Sequence, residues 1–277
     1  MQIHHFNINN AKHAIKANEA LHINLQVQKN GILLCAISVS NHVVLWTTYY
    51  EHNDGGADGR SMMAIMKDCE VMNIKSCIVG LDEDRMMILP NAYKDMVATK
   101  SAFEYVYPIE NNDILEQQFL PWQDFFGAYV MKNGTKHVFT NWQKNVLFAN
   151  TAISLLNIYT SYLQQDAHQL FISLSENKFV MTVYKNTELQ LHAVNEMKSL
   201  DDVLYQIQKM IDMFSLENVA IQINGMDAPA KTTAIAVYYS NTILQALPNG
   251  FIYPAVISKE TQGLIFPILS IAKYANH

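Results

Sequence analysis

An order of elements that occurs twice constrains this chain more than any other feature. Residues 21–51 divide into three β-like runs, LHINLQV, GILLCAISV and HVVLWTTYYE, separated by the turns Gln28-Lys29-Asn30-Gly31 and Ser40-Asn41. A polar, glycine-rich stretch, HNDGGADGR, leads into SMMAIMKDCEVM, where Met62, Ile65, Met66, Cys69 and Met72 share one helical face. The apolar runs IKSCIVGL and MMILP then read as strands. Later in the chain HQLFISL, KFVMTVY and ELQLHAV are again three short strands with tight turns between them. The helix SLDDVLYQIQKMIDMF follows, with Leu200, Val203, Leu204, Ile207, Met210, Ile211 and Phe214 at 3.6 spacing and Ser199 and Asp202 placed to cap it. The strand NVAIQI closes this second series.

Laying one half on the other so that Met62 meets Ile207 brings Ile65 onto Met210, Met66 onto Ile211 and Cys69 onto Phe214. The same shift sets Ile74 on Val219, Ile78 on Ile223, Gly80 on Gly225 and Asp82 on Asp227. Helix face, strand and turn agree without a gap, which predicts a duplicated βββαβ unit and an α/β fold of two lobes. Between the halves, FFGAYVMK and TKHVFT are expected to form a hairpin around Asn133-Gly134. The stretch NWQKNVLFANTAISLLNIYTSYLQQ is expected to be one long helix, opened by a Thr140-x-x-Gln143 capping box and striped by Val146, Ala149, Ile153, Leu156, Tyr159 and Leu163. Gln164-Gln165-Asp166 then separates a first lobe, 1–166, from a second, 167–277. The closing GLIFPILSIAKYA reads as a strand-to-helix or helical element, with Pro267 limiting where a helix can begin.

Half of the 277 residues are apolar, enough for a substantial buried core. Nineteen basic residues stand against 25 acidic ones, with no long run of either sign. A net charge of -6 without clustered Lys and Arg argues against a nucleic-acid partner, which needs such clusters to displace counterions. Cys35, Cys69 and Cys77 lack C-x-x-C spacing and sit in apolar runs as small hydrophobes, so a reduced, cytoplasmic setting is expected. The first residues lack an apolar signal core, and no segment approaches the roughly eighteen apolar residues of a membrane span, so no membrane insertion is expected. The sequon Asn133-Gly134-Thr135 accordingly reads as a turn.

From Gly225 the stretch NGMDAPAKT spells G-x-x-x-x-A-K-T, close to a phosphate-binding loop. Such a loop needs successive backbone N–H groups turned inward, a Lys for the outer phosphates and a hydroxyl for Mg²⁺. Pro229 has no N–H, and Ala230 replaces a glycine whose freedom the cradle requires. The matching stretch of the first half, VGLDEDRMM, keeps the Gly and Asp but has no Lys-Thr. An ordinary strand-to-helix turn fits better, with Asp227 or Ala228 near the cap and Pro229 in the first turn.

Two βββαβ lobes joined by a helix resemble the actin-like ATPase superfamily, with its ribonuclease-H-like fold. In that superfamily the turn after the fourth strand of the second lobe carries an adenosine motif, a Gly-Gly pair with a proline a few residues on. INGMDAP occupies that place, Gly225 and Pro229 fitting and Asn224 standing where the first glycine would be. The resemblance also implies phosphate loops in the first hairpin of each lobe, each with an Asp followed by glycine and a hydroxyl residue. Those hairpins read VQKNGILL and LSENKFVM, and neither contains an Asp. MMILPNAYKD, the long middle helix and the overall length further resemble a bacterial family of unknown function with a degenerate actin-like fold.

The missing acids set against this resemblance point to a non-catalytic binding or scaffolding protein, with another protein as its expected partner and no cofactor expected. The alternative is a nucleotide-dependent ATPase or kinase. It would bind ATP and Mg²⁺ through Asn224, Gly225, Asp227, Pro229 and Lys231, with Gly225 near adenine, Asp82 or Asp227 as carboxylates and Lys231 at phosphate. A third reading is a small-ligand binder in a cleft between the lobes.

Elsewhere the candidates are weaker. The loop His52–Arg60 has two carboxylates and three glycines but not the spacing of a calcium loop, so a solvated connection is expected. His4, His5 and His13 have no acid or Cys nearby at metal-ligand spacing. There is no G-x-S-x-G turn, and His137 and His168 read as partly buried polar residues rather than catalysts. Met62, Met63, Met66, Met86, Met87, Trp46, Tyr49 and Tyr50 crowd the first lobe. Most are expected in its core, the rest on a protein-binding face.

Overall fold

The β-branched and aromatic runs form strands, and the stretches of 3.6 spacing form helices. The computed structural model describes residues 3–4, 19–51, 59–120, 124–253 and 257–274. In chain order come β1 (Ile3–His4), β2 (Ala20–Gln28), β3 (Gly31–Ser38), β4 (Val44–Glu51), α1 (Gly59–Cys69), β5 (Asn73–Leu81) and β6 (Met86–Pro90). They are followed by α2 (Met96–Val106), β7 (Asp113–Phe119), β8 (Phe125–Lys132), α3 (Asn133–Trp142), β9 (Val146–Asn150) and α4 (Thr151–Tyr159). The remainder comprises β10 (His168–Leu174), β11 (Lys178–Lys185), β12 (Glu188–Glu196), α5 (Leu200–Phe214), β13 (Ala220–Gly225), α6 (Ala228–Ala236), β14 (Thr242–Leu244) and α7 (Lys259–Tyr274).

Two compact units emerge, one of Met1–Ser154, Gly250–Val256 and Ile271–His277, the other of Leu155–Asn249 and Ile257–Ser270. In the first, a sheet runs in the order β1-β4-β3-β2-β5-β9, with β2, β3 and β4 an antiparallel meander and β5 and β9 added in parallel. In the second the order is β12-β11-β10-β13-β14, again a meander followed by parallel additions. The five strands β4-β3-β2-β5-β9 and β12-β11-β10-β13-β14 thus share one topology. Every residue of β3 is buried, as expected of an inner strand covered on both faces.

Helix α5 matches its sequence pattern closely. Val203, Ile207 and Met210 are buried against Leu170, Ile172 and Ile223 of the second sheet. Its start is fixed by the Asp202 carboxylate, which accepts the N–H of Ser199 at 2.9 Å and of Lys198 at 2.7 Å. Helix α1 buries Met62, Ile65 and Cys69 but leaves Met66 exposed, which narrows the face drawn from the sequence. Trp46, Tyr50 and Met86 are core residues.

Three expectations are corrected. No hairpin forms at Asn133-Gly134, because β8 is the central strand of a third sheet, β6-β8-β7, and both its edges are already paired. The chain leaves it as α3 instead, which buries Phe139, and the sequon lies in that helix. The long middle helix is broken, since Val146–Asn150 pairs in parallel with β5 from Cys77↔Val146 to Leu81↔Asn150. Thr140 therefore sits near the end of α3, its hydroxyl donating to the Lys136 carbonyl, and Gln143 is the C-cap rather than part of a capping box. The true start is at Asn150, whose Oδ1 accepts the Ile153 N–H at 3.1 Å. Pro267 does not set the beginning of α7 but lies inside it, where Ile265, Phe266, Ile268 and Leu269 are fully buried and offset the lost helical hydrogen bond.

The third sheet and α2 enclose a satellite core of Leu89, Phe103, Phe126, Ala128 and Val130. An ion cluster ties it together. The Asp113 side chain is inaccessible to solvent and meets Arg85 at 2.7 Å and Lys132 at 2.8 Å, while its Oδ2 accepts the Glu110 N–H. The Arg85 and Lys132 hydrogen bonds hold the Asp113 carboxyl well below the usual carboxylate range. No helix among the described residues is long and apolar enough to cross a membrane. The 52–58 segment and His5 and His13 lie outside the described residues, as does the side chain of His4.

Candidate functional site

The strand-to-helix turn after β13 begins where parallel pairing ends, at Ser173↔Asn224 and Leu174↔Gly225. Gly225 has φ +96°, and a Cβ there would collide with the Leu174 carbonyl oxygen, so both backbone freedom and strand proximity require glycine. The Met226 N–H donates to that same carbonyl at 2.9 Å. Asp227 is exposed and occupies the left-handed region at φ 54° as the N-cap of α6. Pro229 lies in the first helical turn, where its missing N–H costs nothing. Behind the turn Gly263 of α7 packs so closely that a Cβ would lie 2.8 Å from the Gly225 carbonyl oxygen and 2.9 Å from the Ala228 Cβ.

Asn224 is fully buried and donates from Nδ2 to the Tyr159 hydroxyl at 3.1 Å. Tyr159 stacks on Phe171 with ring centroids 4.4 Å apart, and burial raises its phenol far above the ordinary range, so it stays protonated. At the place of the adenosine motif's first glycine, this chain therefore has a side chain engaged with the interior. Lys231 is half-buried, and its N–H makes the first bond of α6 to the Asp227 carbonyl at 3.1 Å. The Thr232 hydroxyl donates to the Ala228 carbonyl at 2.6 Å, so it is directed along its own helix.

The two hairpin turns are equally informative. In the first, a Cβ on Gly31 would run into the Tyr49 ring and lie 2.6 Å from the Tyr50 carbonyl oxygen, so strand packing accounts for the glycine. The second turn closes with the Ser175 N–H donating to the Lys178 carbonyl at 2.9 Å, and Glu176 is the one acid in either turn. Asp82 follows β5, where its N–H donates to the Val27 carbonyl at 3.2 Å. Among the described residues, no group of three His, Cys, Asp or Glu side chains is arranged to hold a metal ion.

Within the first unit, a groove of about 470 Å³ opens at the amino ends of β5 and β9. Met63 and Met66 of α1, Met72 and Ile74 entering β5, and Trp142 at the end of α3 form its apolar walls. Sequence reasoning pointed to methionines here but could not separate Met63 and Met66, which are exposed, from buried Met62. It missed Trp142 because the expected long middle helix placed this residue in its first turn rather than at the end of α3.

The family whose description reads "Protein of unknown function (DUF3822)" matches residues 10–234. The chain belongs to that family. No curated protein matches it. Among solved structures, this DUF3822 chain is similar to a Bacteroides thetaiotaomicron protein described as having an actin-like ATPase fold and unknown function. The TM-score is 0.69 at 10% identity, over 87% of this chain and 93% of that one. A chain of the PilM-PilN type IV pilus biogenesis complex aligns with TM-score 0.61 at 9% identity, over 94% and 98%. The ethanolamine utilization protein EutJ from Carboxydothermus hydrogenoformans gives 0.52 at 6% identity, over 91% and 89%. This DUF3822 member therefore has the two-lobed actin-like ATPase fold that its strand order suggested.

Proposed function

We propose that this chain is a non-catalytic member of the actin-like fold that acts as a binding or scaffolding protein. One observation carries the reading: positions that the superfamily resemblance assigns to phosphates and to adenosine are used here for packing. Gly31 accommodates Tyr49, Asn224 anchors Tyr159, and neither hairpin turn contains an aspartate. Without acids placed to orient Mg²⁺ or water, phosphoryl transfer lacks its electrostatic support. The shared strand order of the two sheets supports descent from a duplicated βββαβ unit, with the boundary between the repeats at residues 166 and 167. Three buried free cysteines support a reducing, cytoplasmic setting. A neighbour that forms the PilM-PilN complex supports a protein partner.

Thermal melting with and without Mg-ATP tests this, together with ATP turnover. The expected result is no shift and no turnover. Overturning it would take a rise equivalent to about 2.7 kcal/mol at a hundredfold excess over the dissociation constant. That rise would have to be lost in Lys231→Ala or Glu176→Gln.

A further inference from the structure

The groove beside α1 has a chemistry of its own. It lies at the amino ends of β5 and β9, opposite the carboxyl ends where open α/β sheets place their ligands. Met63 is 63% exposed and Met66 41%, and Val71, between the lining residues Glu70 and Met72, is 85% exposed. Apolar surface that runs beyond the cavity fits a chain segment better than an enclosed small molecule, which is normally buried on most sides. Methionine suits such a face because its flexible, polarisable side chain adapts to an incoming surface.

The charge around the groove identifies the occupant. Lys67 lies on its wall, Lys75 follows Ile74, and Lys144 follows Gln143, all three exposed. Among the described residues none of these lysines makes an ion pair, whereas Lys100 and Lys136 of the same unit each have one and Lys132 has two. Against them stands Glu70, just past the end of α1, while Asp68, the acid of α1 itself, accepts the Tyr50 hydroxyl at 2.6 Å. In a chain of net charge -6, three lysines and one glutamate thus stand on the lining of this groove or next in sequence to it. A second copy is disfavoured as occupant, because isologous pairing of this face sets lysines against lysines.

We propose that this groove docks an apolar segment of a partner protein flanked by acidic residues, its carboxylates on Lys67, Lys75 and Lys144 and its apolar side chains among Met63, Met66 and Met72. The proposal deepens the binding-module reading and depends on it.

The test pans the full chain against a displayed library of random peptides and measures the strongest binder by fluorescence anisotropy. The methyl resonances of ¹³C-labelled methionines locate it. Enriched peptides should combine large apolar residues with Asp or Glu and shift the methyls of Met63, Met66 and Met72. Affinity should fall at least about tenfold in the K67E/K75E/K144E variant and with added salt, while the variant's melting curve stays that of the parent. No enrichment, enriched peptides without acids, shifts confined to other methionines, or indifference to charge reversal would each overturn the proposal. So would self-association that protects these methyls, which would give the face to a second copy. ATP turnover by the same preparation bears on the non-catalytic reading alone, so failure of one is distinguishable from failure of the other.

Discussion

Asn224 donates its side-chain amide to the Tyr159 hydroxyl at 3.1 Å, and neither residue reaches solvent. The bond ties the end of β13 to the helical segment Thr151–Tyr159. Among the described residues, Asn224 Oδ1 has no hydrogen-bond partner. Tyr159→Phe removes the remaining one and leaves both polar ends of a buried amide unsatisfied. The expected loss is about 1–3 kcal/mol in chemical denaturation. Because Asn224→Ala removes the orphaned group itself, Tyr159→Phe should cost less in that background. Additive losses would show that the bond contributes nothing.

Gly225→Ala should be among the most damaging single changes in the second unit. The new methyl meets the Leu174 backbone rather than a flexible side chain, and φ +96° is poorly tolerated by any residue with a Cβ. The loss should exceed about 1–3 kcal/mol, the usual cost of backbone strain alone. A variant with the parent's denaturation midpoint would mean that the strands are farther apart than described.

Gly134→Ala separates the helix from the hairpin. In α3 the position is exposed, with nothing within 4 Å of an added Cβ, so alanine should stabilise by a few tenths up to about 1 kcal/mol. In a glycine turn the same change would destabilise, and thermal melting reads the sign directly.

The ion cluster at Asp113 makes stability depend on acid pH. Its folded pKa lies below that of an unperturbed aspartate, about 3.9, so the stabilisation is fully present above that value and is lost as pH falls through the folded pKa. Asp113→Asn should cost about 1.5–3 kcal/mol near neutrality, typical of hydrogen bonds to a charged group. The gap between variant and parent should close on acidification below about pH 4. Denaturant titrations at neutral pH and near pH 3 check this, and a gap independent of pH would place the effect elsewhere.

The sequence by itself determined the elements whose signal is local. The turn-bounded apolar runs of β2 to β4 and β10 to β12, the stripe of α5 with Asp202 at its start, and the strand-to-helix turn at Gly225–Pro229 all appear where the residues put them. Each depends on side-chain period, a cap or a proline, which neighbours in the chain suffice to specify. Tertiary structure decided the segments whose local signal is ambiguous. Val146–Asn150 is a strand because the edge of β5 is available to it, and Asn133–Trp142 is a helix because β6 and β8's other partner, β7, leave no edge for a returning strand. It also decided which methionines face the groove, since Met62 and Met63 are adjacent in sequence and differ only in the side of α1 on which they lie. Hydrogen bonds that close between distant strands and surfaces that form only when elements pack have no counterpart in any window of residues.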